Sequence, residues 1–142
     1  MRFMMIVKAN ADSEAGVMPS SELIAAMGRY NDALINAGIL LAAEGLQSSA
    51  KGARVKSVKG KLTITDGPFS ETKELLAGFW LIDVKSKQEA LEWVKKIPFE
   101  DGQEIELRQV FEATDFATDS VSEEALAKER AWRDANQKPI TR

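Results

Sequence analysis

The chain has 142 residues, 44% of them hydrophobic and 29% charged, with 9 Gly and 4 Pro; this is the mixture of one ordinary globular domain and excludes collagen-like, low-complexity and disordered classes. Nineteen Lys and Arg against 22 Asp and Glu leave a formal charge of -3, so the basic footprint of a nucleic-acid binder is missing and no direct DNA or RNA contact is expected. The chain holds no Cys and no His, which removes disulfides, thiolate nucleophiles, Cys-based zinc sites, the commonest general base and the commonest transition-metal ligand.

Met1 to Lys8 holds too short an apolar run for a secretory signal and reads as a first strand, with a cytoplasmic location as the default. No segment approaches the roughly 20 apolar residues of a membrane span. Asn10 to Pro19 reads as a loop. Pro19-Ser20-Ser21-Glu22 carries the signals of a helix start, and Leu23, Met27, Tyr30 and Leu34 recur at helical spacing as one apolar stripe. Gly38 is the expected left-handed residue ending that helix. Gly28 within it costs about 1 kcal/mol relative to Ala, so close packing is expected there.

Ile39 to Ala43 reads as a buried strand running into Glu44-Gly45-Leu46-Gln47, followed by a turn-rich break. Val55, Leu62 and Ile64 then alternate with polar residues around Lys59-Gly60, the pattern of a hairpin with a basic exposed face of Arg54, Lys56, Lys59 and Lys61. Asp66-Gly67-Pro68-Phe69 marks a sharp turn, and Ser70 to Glu74 a short polar stretch. In residues 77–84, Phe79 and Leu81 fall on one face and Trp80, Ile82 and Val84 on the other, as in a strand covered on both sides. Ser86 to Glu89 reads as a capping box opening a helix that Pro98 stops, Glu104 to Arg108 as a last strand, and Ser120 to Glu123 as a second capping box opening a tail helix with Val121, Ala125 and Trp132 on one stripe.

Strand, helix, strand, hairpin, strand, helix, strand, tail helix is the order of a split βαβ, ferredoxin-like α+β fold with a β-hairpin inserted in its middle connection and a C-terminal helix. Two helices cover one sheet face. The other keeps bulky apolar groups that a lone chain leaves bare, so a second copy packed sheet on sheet is expected, giving a homodimeric α/β barrel.

Gly28-Arg29-Tyr30, Ala37 to Leu40, Glu44 to Gln47, the ten residues Thr65 to Glu74 containing Asp66-Gly67-Pro68-Phe69, Gly78 to Val84 and Glu89 to Trp93 carry a resemblance. On these the chain resembles the YCII-related family, in its DGPF branch, over residues 1 to about 111. The domain expected from this spans 1–112, with 113–142 a C-terminal extension. The resemblance implies bacterial proteins with a dimeric ferredoxin-like fold. For some relatives it also implies a His and an Asp in the sheet cavity acting as an acid/base pair on a small organic acid or lactone. For DGPF domains it implies occurrence beside sigma factors, hence an accessory or regulatory role with a transcription-regulatory partner. A His-Asp dyad cannot operate without His; only the aspartate, Asp66, carries over.

An unperturbed Asp is a weak base at neutral pH, so catalysis needs burial of Asp66 or a neighbouring carboxylate, Glu44 or Glu71. Tyr30 then donates a proton or holds a carbonyl, and Arg54 or Lys73 anchors a carboxylate, with Gly67, Pro68 and Phe69 lining the site. That is a cofactor-independent isomerase or lyase, with no metal and no cofactor. The competing reading spends the same turn on scaffolding: Asp66 bonds its own backbone, Gly67 supplies a positive φ, Pro68 fixes the exit and Phe69 plugs the core. The favoured expectation is a homodimer that binds an unidentified small molecule in its intersheet cavity, with the enzyme as the alternative.

Overall fold

The computed structural model describes residues 1–71, 74–116 and 119–142. Strand β1 (Arg2–Lys8) leads through a short helix α1 (Ala11–Glu14) to α2 (Ser21–Asn36), β2 (Leu40–Gly45), a 3-10 turn at Ser49–Lys51, the hairpin strands β3 (Ala53–Val58) and β4 (Lys61–Asp66), then β5 (Leu76–Asp83), α3 (Lys87–Val94), β6 (Ile105–Gln109), a second 3-10 turn at Ala113–Asp115 and α4 (Ser120–Asn136). It is an α+β chain. Four strands form one sheet in the order β2-β5-β1-β6, every neighbouring pair antiparallel, while β3 and β4 form a separate two-stranded sheet. The four-stranded sheet is open at β2 and β6, so no barrel closes among the described residues.

Strand alternation sorts the side chains by face. Phe3 and Met5 on β1, Leu40 on β2, and Trp80 and Ile82 on β5 meet Tyr30 and Leu34 of α2, Ala90 of α3, and Val84 and Ile97 beyond their elements in one core. The α2 stripe is thus the inner face of that helix, capped by Ser20 Oγ accepting from Leu23 N at 3.1 Å and ended by Gly38 at φ 70°. Gly28 departs from expectation: it is exposed, and nothing lies within 4 Å of where its Cβ would be. No packing requires that glycine.

Two caps differ in detail from the sequence pattern. Ser86 Oγ does accept from Glu89 N at 3.1 Å, but Glu89 reaches back to Lys85 N instead of completing the box. The α4 box is built one residue earlier, between Asp119 and Ser122, because Asp at the N-cap bonds the backbone three residues on as well as Ser does. The loop expected over Asn10 to Pro19 contains α1, opened by an Asn10-Ser13 box whose short side chains carried no apolar period to reveal it.

The second sheet face is not bare, as the sequence led one to expect. Arg2 is 8% exposed there, its guanidinium donating to both Glu112 carboxylate oxygens at 2.9 and 3.1 Å, to Phe111 O at 2.9 Å and to Gln137 Oε1 at 2.8 Å. Those bonds hold the two ends of the C-terminal segment against the sheet, and Ile140 N reaches Leu40 O at 2.7 Å beyond it. The α4 stripe expected of Val121, Ala125 and Trp132 is not a buried one: Ala125 is exposed, Trp132 is 61% exposed, and the Val121 side chain lies outside the described residues. Among those residues no helix is long and apolar enough to cross a membrane.

Candidate functional site

The Asp66 to Phe69 turn closes the hairpin at its base. Gly67 N donates to Gly52 O at 3.0 Å, and a Cβ on Gly67 would sit 1.7 Å from Ser49 O and 2.6 Å from Ser49 C. Glycine is needed here for this close approach; its φ is not positive, contrary to the turn chemistry expected. The Gly67-Pro68 peptide is cis. Ser49 is the hub of the contact: its Oγ accepts from Phe69 N at 3.0 Å and donates to Glu14 Oε2 at 2.5 Å, while its N–H donates to Glu14 Oε1 at 3.0 Å. Glu14 and Ser49 were not singled out by sequence reasoning. The only trace they leave is an acidic residue at the end of a short capped helix and a serine in a turn, both common.

Of the residues expected at the site, three come together. The Arg54 guanidinium lies 3.9 Å from the centre of the Phe69 ring and 3.4 Å from Glu71 Oε2. Bonding to its own backbone N–H, and then to Arg54, lowers the Glu71 carboxyl below its ordinary range. Phe69 is half-buried beneath Arg54 and lies outside the central core, so it does not plug that core. Asp66 is exposed at the end of β4, and its carboxylate makes no hydrogen bond or ion pair among the described residues; it does not bond its own turn. Glu44 is exposed on β2 opposite Phe79, and no hydrogen bond joins it to Asp66 or Glu71. Lys73 lies outside the described residues.

Tyr30 stands apart from this group. It is 5% exposed within the core, packs edge to face on Trp80 at 5.4 Å, and directs its hydroxyl to Trp93 O at 3.0 Å with Met5 Sδ at 3.7 Å. Burial pushes its phenol above the ordinary value of 10.0. A hydroxyl already donating to a backbone carbonyl, with its ring locked between α2 and the sheet, is placed for packing.

Two clefts accompany these residues. One of 360 Å³ lies beside the turn, with Glu14, Ser49, Arg54 and Phe69 among its walls. The larger, 760 Å³, lies between the outer sheet face and α4 and was not foreseen. Met4 and Ile6 form its floor, Phe111, Phe116 and Leu126 contribute apolar walls, and Arg108, Arg130 and Arg133 bring guanidiniums to it. Glu112 and Glu129 also line it, but are engaged by Arg2 and Arg133. Arg108 is only 3.7 Å from Glu106, and neither Arg130 nor Asp134 has an ion pair among the described residues. Among those residues no group of three or more acidic side chains is placed to hold a metal ion.

Compared with known proteins, residues 1–114 match the family model of the YCII-related domain. An uncharacterised protein of Rhizobium meliloti (strain 1021) is 38% identical over 63 residues, 44% of this chain and 51% of that relative. The chain thus covers about half the length of that curated relative.

Proposed function

This chain belongs to the YCII-related family, and we propose that it works as a homodimer that binds a small molecule in the cleft beneath α4, in an accessory or regulatory role. The cleft carries this reading. Its 760 Å³ lies inside the roughly 300–1,000 Å³ range of small-molecule sites, and its apolar floor under a wall that carries several charged side chains offers a surface for an apolar body and groups to orient a polar one. Arg130 has no carboxylate partner among the described residues, and Arg108 lies 3.7 Å from Glu106, which is already held by Lys8. The ligand this lining suits is a compact molecule with an apolar body and one carboxylate, held by a guanidinium fork.

The antiparallel order β2-β5-β1-β6, with α2 and α3 packed on one face, supports a ferredoxin-like reading. In this reading the second copy packs outside α4, which already covers part of the outer sheet face, and a barrel is completed only by the pair. The DGPF turn serves in this reading as a scaffold for the hairpin. Asp66 and Glu44 are exposed and unpaired with one another, which withholds the coupling that would lift a carboxylate toward a useful base, so the isomerase or lyase alternative has no observation in its favour.

Isothermal titration with benzoate and phenylacetate tests the ligand reading. Saturable binding that is lost in Arg130→Gln and in Ile6→Glu, and kept in Asp66→Asn, is the expected outcome. Binding that survives both cleft substitutions but not Asp66→Asn would move the site to the turn.

A further inference from the structure

We infer that the β3-β4 hairpin is an arm that grips a second copy of this chain, landing on the acidic margin of that copy's edge strand β6. This inference rests on the homodimer reading above and adds the surface that holds the pair together.

Every residue of both hairpin strands is exposed. Register places Val55 opposite Ile64 and Ser57 opposite Leu62, so one face of the arm is apolar, with Val55, Leu62 and Ile64 at 62%, 66% and 70% exposure. Arg54, Lys56 and Lys61 lie on the opposite face, so an arm added edge to edge presents one face to each side of the partner's sheet. A two-stranded hairpin standing alone in water is marginal, and an apolar face of this kind marks a contact surface. The base, in contrast, is fixed by Gly67 against the Ser49 backbone and by the Glu14-Ser49-Phe69 bonds. An arm anchored at its root and bare along its length is preorganised for a partner.

Charge identifies the partner as this same chain. Residues 51–66 carry five cationic side chains, Lys51, Arg54, Lys56, Lys59 and Lys61, against Asp66 alone. Residues 100–115, running through β6 and both its flanks, carry six carboxylates against Arg108 alone. Lys8 and Arg2 neutralise Glu106 and Glu112 within the chain. Glu100, Asp101, Glu104 and Asp115 have no ion pair among the described residues. Phe111 and Phe116 flank Asp115 beyond the C-terminal end of β6, while Glu100, Asp101 and Glu104 precede the strand; at 67% and 46% exposure the two rings give an apolar landing for Val55, Leu62 and Ile64. Strand β6 is a sheet edge, the place where a further strand pair adds most readily. A twofold axis makes the contact twice, arm to margin and margin to arm. An anionic lipid surface would also attract the basic face, but would leave the matching acidic margin without a role.

The full chain tests this by sedimentation equilibrium. Lys56→Glu/Lys61→Glu, on the exposed basic face, is expected to weaken the dimer more than about tenfold by setting like charges together. Leu62→Thr/Ile64→Thr, which keeps the strand preference, is expected to weaken it as well. Mixing Lys56→Glu/Lys61→Glu with Glu100→Lys/Asp101→Lys/Glu104→Lys should restore a heterodimer visible by native mass spectrometry. Variants that dimerise like the parent would overturn the arm while leaving the homodimer standing; a monomeric parent would overturn both. Co-flotation of the parent with phosphatidylserine vesicles, abolished by Lys56→Glu/Lys61→Glu while the dimer is untouched, would assign the arm to lipid and overturn the inference.

Discussion

Gly67→Ala separates a turn held by packing from one that is merely favourable in conformation. The new methyl would lie 1.7 Å from Ser49 O, 2.6 Å from Ser49 C and 3.2 Å from Ala50 N, all backbone atoms that no rotamer change can move. The cheapest escape is for the turn to detach from the 48–52 segment. Detachment forfeits the Gly67 N to Gly52 O and Phe69 N to Ser49 Oγ bonds, each worth about 1 kcal/mol net. It also loosens the Arg54-Phe69 stacking, worth about 0.5–1 kcal/mol at an exposed site. Overpacking costs of about 1–3 kcal/mol agree with that sum, so a loss of about 2–3 kcal/mol is expected. Urea unfolding followed by circular dichroism measures it, read from the midpoint at unchanged slope. A variant within about 0.5 kcal/mol of the parent, the usual range of a neutral surface change, would refute the close-approach argument.

Gly28→Ala should act in the opposite direction, stabilising the protein by about 0.5–1 kcal/mol, since its Cβ meets open space and α2 gains helix preference; the same urea titration checks it. Tyr30 is the chain's one tyrosine, so phenolate absorbance reads it alone: its folded-state ionisation should begin well above pH 10. Its folded pKa is raised, so the stability it contributes is full below the unfolded value near 10.0 and falls as pH rises above it; in Tyr30→Phe that part of the alkaline loss should vanish. Arg2→Met should cost about 2 kcal/mol, because it strips Glu112, Gln137 and Phe111 O of their shared donor. Hydrogen exchange should then quicken in α4 before it does in β1; unchanged protection of α4 would contradict the clasp.

Much of the frame was legible because it is local. Tyr30 and Leu34 share a stripe with Met27, and Trp80 and Ile82 share a strand face, because one helical or strand period faces the core over its whole length. Gly38 and the Lys59-Gly60 turn, at φ 52° and 78°, follow from backbone conformations that few residues adopt. What escaped the sequence depends on distant partners. The Glu14-Ser49-Phe69 bonds join three segments whose spacing has no period, and the Arg2 clasp joins residues 110 and 135 positions apart. The cleft beneath α4 exists because that clasp holds a mostly exposed helix over the sheet. The need for Gly67 was read correctly in kind and wrongly in cause: the turn is tight against Ser49 backbone, a contact the sequence cannot display.

Light scattering on the full chain at micromolar concentration, with and without added salt, tests the central claim most directly. The account predicts a particle of twice the 15.6 kDa chain mass, dissociating as ionic strength screens the basic arm from the acidic margin. A particle of single-chain mass at every concentration and salt level would contradict it.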